Sequence, residues 1–320
     1  MTARIVGKIP GFLELTEYHY FEKYLGLCRS GEKLSQDDCF IIVREMLSIY
    51  YHGFTSNRRG LSKYDNEIQS ILGSKSFDAI QLHIAIFDYL SKKNNCTAYV
   101  EQTPNNLLHY KQILKIRNAK MIALIRDPRF VLRSQKSKWK RSRLGASKVA
   151  SRETLRALLN YNPLITALQW KINAKKLSKI LNVVDPEKLF FMKFEEVLNN
   201  SESTINKLCD FLEVGYSNEF LNVPHIGSSY SNDNPDIRGI RVLQAFSKDH
   251  SSRVISNAVS VVCKAEMKEF GYSSRVYLDS SLLTLVLYLA FIPVQLILII
   301  ALNINRTENF FLSLKNRVRV

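Results

Sequence analysis

From Leu282 to Leu302 the chain reads LLTLVLYLAFIPVQLILIIAL, 21 residues without a charge, interrupted by polar side chains only at Thr284, Tyr288 and Gln295. A helix of that length rises about 30 Å, the thickness of a bilayer's hydrocarbon core, whereas an apolar run of about 10–14 residues marks a buried core helix. The run is therefore expected to be a transmembrane helix within a segment over residues 276–304. Pro293 is compatible with a spanning helix, the alternative being that it divides the run into two shorter interfacial pieces. The tail at 305–320 sets Arg306, Lys315, Arg317 and Arg319 against Glu308, among Phe310, Phe311 and Leu312, a basic amphipathic piece suited to an anionic bilayer surface. The rest of the chain is basic as well, so charge leaves open the side of the membrane on which the globular part lies. The opening residues MTARIVGKIPGF lack a basic stretch followed by an apolar one, and no secretory signal is expected.

Residues 1–275 read as one mixed domain. Apolar, β-rich runs at 12–15 (FLEL), 97–101 (TAYVE), 120–125 (KMIALI) and 189–194 (LFFMKF) alternate with amphipathic segments at 38–50, 78–92, 105–116, 128–138, 153–180, 202–213 and 248–269. Parallel neighbours need a crossover, usually a helix, so the alternation predicts an α/β fold, a parallel sheet with flanking helices in three layers. A hydrophobic fraction of 46% excludes a disordered chain. The five cysteines, Cys28, Cys39, Cys96, Cys209 and Cys263, are widely spaced and form no metal-binding pattern, so neither a disulfide framework nor a metal site is indicated. Serine-hydrolase, zinc-protease and standard P-loop motifs are absent from the sequence.

Charge narrows the partners. Lys and Arg number 45 against 29 Asp and Glu, a net +16, which calls for something anionic. The densest stretch, RDPRFVLRSQKSKWKRSRLGASK at 126–148, holds nine Lys or Arg and the single acid Asp127. Such a run is also what a solvated helix face looks like. It begins, however, where the strand MIALI ends, and in open α/β sheets ligands sit beyond the carboxyl ends of strands, where the next helix offers unpaired N–H groups to phosphate. Trp139 among the lysines could stack on a base, but a mononucleotide site already accounts for these residues, so nucleic acid is not expected as a partner.

The segment YVEQTPNNLLHYKQILKIRNAKMIALIRDPRFVLRSQKSKW resembles the nucleotide-binding half of sulfotransferases that use 3′-phosphoadenosine 5′-phosphosulfate. The strand, Arg-Asp-Pro-Arg and a downstream serine are similar to that family's 3′-phosphate motif, which implies that Arg126 grips the phosphate by charge and Ser134 by its hydroxyl. The similarity continues in order: LFFMKFEEVLNN and STINKLCDFLEV look like framework, and HIGSSYSND with RGI falls where the family closes a loop over the nucleotide. KEFGY at 268–272 resembles the usual domain end. The resemblance implies Ser228, Ser229 and Arg238 as cofactor-loop residues. KIPGFLELTEYHYF at 8–21 is similar to the stretch in which a short strand leads to a glutamate that serves as the base in several branches. This implies Glu17 as the group that deprotonates the acceptor hydroxyl, with His19 as the alternate. The implied fold is P-loop-kinase-like.

Two features depart from the family. Its first strand and the Gly/Ser/Thr-rich loop that cradles the 5′-phosphosulfate have no counterpart after Met1, and Lys8 falls too far along the first helix to replace them; further chain upstream of Met1 is therefore expected. Gln102 stands where a lysine often precedes Thr-Pro, and it would support the transition state with an amide rather than a charge, although charged donors are about twice as strong. The expected activity is sulfuryl transfer from 3′-phosphoadenosine 5′-phosphosulfate to a hydroxyl of a glycan or lipid, in preference to a protein tyrosine, with the membrane reached through the C-terminal helix. The alternative is a catalytically impaired nucleotide-binding or interaction protein on a sulfotransferase frame.

Overall fold

The computed structural model describes residues 1–27, 31–53, 64–144, 158–225, 234–240 and 249–303. Along the chain run α1 (Thr2–Val6), β1 (Phe12–Leu15), α2 (Tyr20–Tyr24), α3 (Gln36–His52), α4 (Asp65–Leu72), α5 (Ala79–Lys93), β2 (Ala98–Glu101), a 3-10 turn (Pro104–His109), α6 (Tyr110–Ile113), β3 (Met121–Ile125) and α7 (Pro128–Leu144). There follow α8 (Pro163–Leu181), β4 (Leu189–Lys193), α9 (Phe194–Asn199), α10 (Ser201–Leu212), a second 3-10 turn (Asn218–Leu221), β5 (Pro224–His225), β6 (Asn234–Arg238), α11 (His250–Val262), α12 (Lys264–Glu269) and α13 (Ser280–Asn303).

The fold is mixed α/β, and β1 to β4 fall on the four apolar runs. The single parallel sheet is represented by smaller pieces: among the described residues the strands join two by two, β1 with β2, β3 with β4 and β5 with β6. The first pair is parallel, in register from Phe12↔Ala98 to Leu15↔Glu101, and the last is antiparallel. The helix expected over 105–116 is instead a 3-10 turn running into α6, because Asn105 and Asn106 spend their side chains on Glu22 and Glu101. The helix expected over 248–269 breaks at Cys263, whose thiol donates to the Ala167 carbonyl at 3.1 Å.

The chain forms two compact units, Met1–Ile122 with Asp185–Phe190 and Glu202–Val223, and Ala123–Val184 with Phe191–Ser201 and Pro224–Val320. In the first, α2 to α5 carry the chain from β1 to β2. The Ser35 hydroxyl caps α3 by accepting the Asp38 N–H at 3.0 Å, and Asp78 caps α5 in a reciprocal box with Gln81. These helices bury one apolar cluster, including Ile42, Met46, Leu82, Ile86 and Leu90. His83 sits inside it, 3% exposed, among the rings of Tyr20, Phe21, Phe87 and Tyr99. With no hydrogen-bond partner for either ring nitrogen, it is held neutral by burial, which pushes its pKa down to about 3.

In the second unit Asn162, wholly buried, caps α8 by accepting the Leu164 N–H at 2.9 Å, and Pro163 takes the first helical position. Helix α11 packs on α7, α8 and α13. The segment expected at 276–304 thus belongs to this unit as α13, the one helix among the described residues that is long and apolar enough to cross a membrane. The tail at 305–320 lies outside the described residues.

Candidate functional site

Within the first unit the carboxyl ends of β1 and β2 lie side by side, Leu15 opposite Glu101. The chain leaving β1 is bound to the chain leaving β2 through one hydroxyl: Thr103 Oγ1 accepts the N–H groups of Tyr18 at 3.2 Å and His19 at 3.3 Å, and itself donates to Glu101. Asn106 also donates to Glu101, at 3.1 Å. Burial raises the Glu101 pKa, and these donors oppose that shift without reversing it. Thr103 is buried and Gln102 beside it is exposed, so the threonine is structural and the glutamine faces outward.

His19 adopts a left-handed conformation, φ 54°, which turns its imidazole between two carboxylates. Glu17 lies 3.6 Å from Nε2 and Glu22 3.1 Å from Nδ1, and Asn105 donates to Glu22 at 2.8 Å. The two carboxylates, Glu17 first and Glu22 second, raise the His19 pKa to about 9 against the opposing effect of burial. At neutral pH His19 is therefore an imidazolium. A protonated ring does not accept a proton, and in that state His19 stands as a positive charge beside Glu17.

Within the second unit Arg126 follows directly on β3, as the sequence suggested. Its guanidinium lies over the Phe194 ring, 4.4 Å from the centroid, and 5.8 Å from that of Phe130. Its backbone is fixed on both sides. Trp170 Nε1–H donates to the Arg126 carbonyl at 2.9 Å, and the next N–H, that of Asp127, donates to Glu195 at the same distance. Glu195 in turn accepts from the Tyr272 hydroxyl at 2.9 Å, and burial, reinforced by this contact, raises the tyrosine pKa. The nearly buried Asp127 carboxylate accepts the Arg129 N–H at 2.9 Å and pairs with the Arg129 guanidinium, which starts α7 and neutralises the second arginine of the motif. Ser134 lies in the second turn of α7, and Arg238 ends β6 on the surface. Ser228 and Ser229 lie outside the described residues.

The structure thus groups Glu17 and His19 with the Gln102 turn in the first unit, and Arg126, Ser134 and Arg238 belong to the second. Thr103, Glu22, Trp170, Glu195 and Tyr272 were not singled out in the sequence. EQTPNN and KFEEV gave some local sign of the first and fourth, but nothing near Trp170 marks it as a partner of Arg126.

A model of the sulfotransferase family matches residues 37–218, more than half of the chain, including the EQTPNN turn, Arg126, Ser134 and Glu195. Two solved structures are similar. A sulfotransferase domain from the curacin biosynthetic pathway has 14% identity and a TM-score of 0.47, with 85% of this chain and 93% of that one covered. A sulfotransferase domain from the Synechococcus PCC 7002 olefin synthase has 13% identity and a TM-score of 0.43, with 90% and 88% covered. No curated protein was found to match the chain.

Proposed function

The chain belongs to the sulfotransferase family, and from that premise we propose that it moves a sulfuryl group from 3′-phosphoadenosine 5′-phosphosulfate to a hydroxyl of a glycan or lipid. The observation that carries the donor assignment is the anchoring of Arg126: one peptide group held by Trp170, the next by Glu195, and the guanidinium laid on Phe194. An arginine fixed in this way loses little freedom on meeting a phosphate, and the hydroxyl of Ser134 and the cation of Arg238 are the further anion donors that the family resemblance implies. When bound, the donor supplies the sulfuryl group, its sulfur–oxygen bond to phosphate breaking as the acceptor oxygen bonds to sulfur.

The residues of the first unit supply the proton chemistry. Glu17, its side chain 54% exposed, takes the proton from the acceptor hydroxyl. His19 holds that carboxylate in place and contributes the positive charge that the amide of Gln102 does not. The half-buried Glu101 does not compete as a base, because its oxygens accept from Thr103 and Asn106 and fix the turn.

Calorimetry tests the donor site. Adenosine 3′,5′-bisphosphate is expected to bind more tightly than adenosine 5′-monophosphate, and Arg126→Ala to remove about 1.5–3 kcal/mol of that binding, the value of a charged hydrogen bond. Equal affinities would overturn the assignment. The uncharged Gln102 favours a second reading, a nucleotide-binding protein with little turnover; binding without transfer of labelled sulfate to any hydroxyl acceptor would establish it.

A further inference from the structure

Helix α13 carries its polarity reversed. Between Ser281 and Ala301 its polar side chains are Ser281, Thr284, Tyr288 and Gln295, spaced by three, four and seven residues, so they share one stripe of the helix. That stripe faces protein. Ser281, fully buried, accepts from Asn257 at 2.9 Å, and Thr284 meets His250 at 3.2 Å. The Tyr288 carbonyl accepts from Asn162 at 3.3 Å. Gln295, 2% exposed, accepts from Asn162 at 2.9 Å and donates to the carbonyls of Leu159 and Tyr161. Leu285 is buried beside that stripe, and most of the other apolar residues point away: Leu283 is 65% exposed, Leu287 63% and Ile297 68%.

We propose that α13 lies in the plane of a membrane, docked on its own unit through this polar stripe, with its apolar face sunk into a single leaflet. Three observations select a bilayer as the occupant and in-plane as the orientation. At 3.6 residues per turn the exposed positions from Leu283 to Ile300 sweep about 220° of the helix, wider than the single stripe along which a second helix packs. The docked stretch from Ser281 to Gln295 rises about 21 Å, some two thirds of a hydrocarbon core. A spanning α13 would therefore carry α11 and α8, the latter with Lys171, Lys175, Lys176 and Lys179, into lipid. Finally, the chain's net charge of +16 and the basic residues after Asn303 match the anionic headgroups at which an in-plane helix settles. The inference does not depend on sulfuryl transfer, and its test reads no activity.

The full chain, with an epitope tag added after Val320, is mixed with vesicles of phosphatidylcholine and phosphatidylserine and floated on a density gradient. The expected result is co-flotation, with the tag fully accessible to antibody on intact vesicles. Leu287→Glu and Ile297→Glu together should lower vesicle binding by tenfold or more, by roughly the effect of placing charge on a buried apolar face. A tag protected until detergent is added would overturn the proposal in favour of a spanning helix. Failure to float, with elution as a dimer, would overturn it in favour of a second copy as the occupant. Undiminished flotation of the double variant, checked for folding by circular dichroism, would overturn it as well.

Discussion

The carboxylate of Glu195 accepts the backbone N–H of Asp127 at 2.9 Å, tying the turn after β3 to the turn after β4 across 68 residues. Glu195 thereby fixes the backbone beside Arg126 without itself having to touch a ligand. A peptide N–H left buried without its acceptor costs about 1–3 kcal/mol.

Glu195→Ala should accordingly lower stability by about that amount in urea denaturation and weaken the binding of adenosine 3′,5′-bisphosphate. Glu195→Gln, which keeps an acceptor oxygen, should restore most of the affinity. If the two variants bind alike, the carboxylate does not position Arg126.

Two histidines of the first unit give stability opposite dependences on pH. The folded state raises the His19 pKa from 6.5 to about 9, so its contribution is fully present below pH 6.5 and is lost as the pH rises through 9. His83 is lowered from 6.5 to about 3, so the unfolded chain binds a proton that the folded chain refuses, and stability falls as the pH drops from 6.5 towards 3. Thermal unfolding followed across that range should show His19→Gln flattening the alkaline limb and His83→Leu the acid one.

The strands were legible because each is a short apolar run bounded by polar residues, and Arg126 because it directly follows one of them. The division of the sheet into pairs was not, since apolar runs do not specify which edges meet. The charge state of His19 depends on neighbours at 17 and 22, both visible in the sequence, but only the left-handed turn at His19 decides that both carboxylates reach one ring. The spacing of the polar residues in α13 was equally visible. That they point inward depends on Asn162, 133 residues before Gln295, which no local pattern can supply.

The amide of Gln102 is exposed beside the turn that holds His19, and a lysine there would add a charge at little structural cost. Gln102→Lys is expected to raise the rate of transfer from labelled donor on the order of tenfold, and Glu17→Gln to lower it by about a hundredfold or more. A Gln102→Lys variant no faster than the parent would remove position 102 from the site.

Asn162 does two jobs from one buried position: its oxygen caps α8 and its amide nitrogen holds α13. Asn162→Ala should therefore cost about 2–4 kcal/mol in denaturation of the detergent-solubilised chain, roughly a lost cap together with the unpaired side-chain oxygen of Gln295. Asn162→Asp keeps the cap oxygen but donates nothing to Gln295, and should fall between parent and alanine variant. Gln295→Leu removes the group that would be left unpaired. Combined with Asn162→Ala it should therefore destabilise by less than the sum of the single changes, a coupling of about 0.5–3 kcal/mol between residues in contact. Strict additivity would show that the amide pair contributes nothing to holding α13, and would leave the cap as the whole role of Asn162.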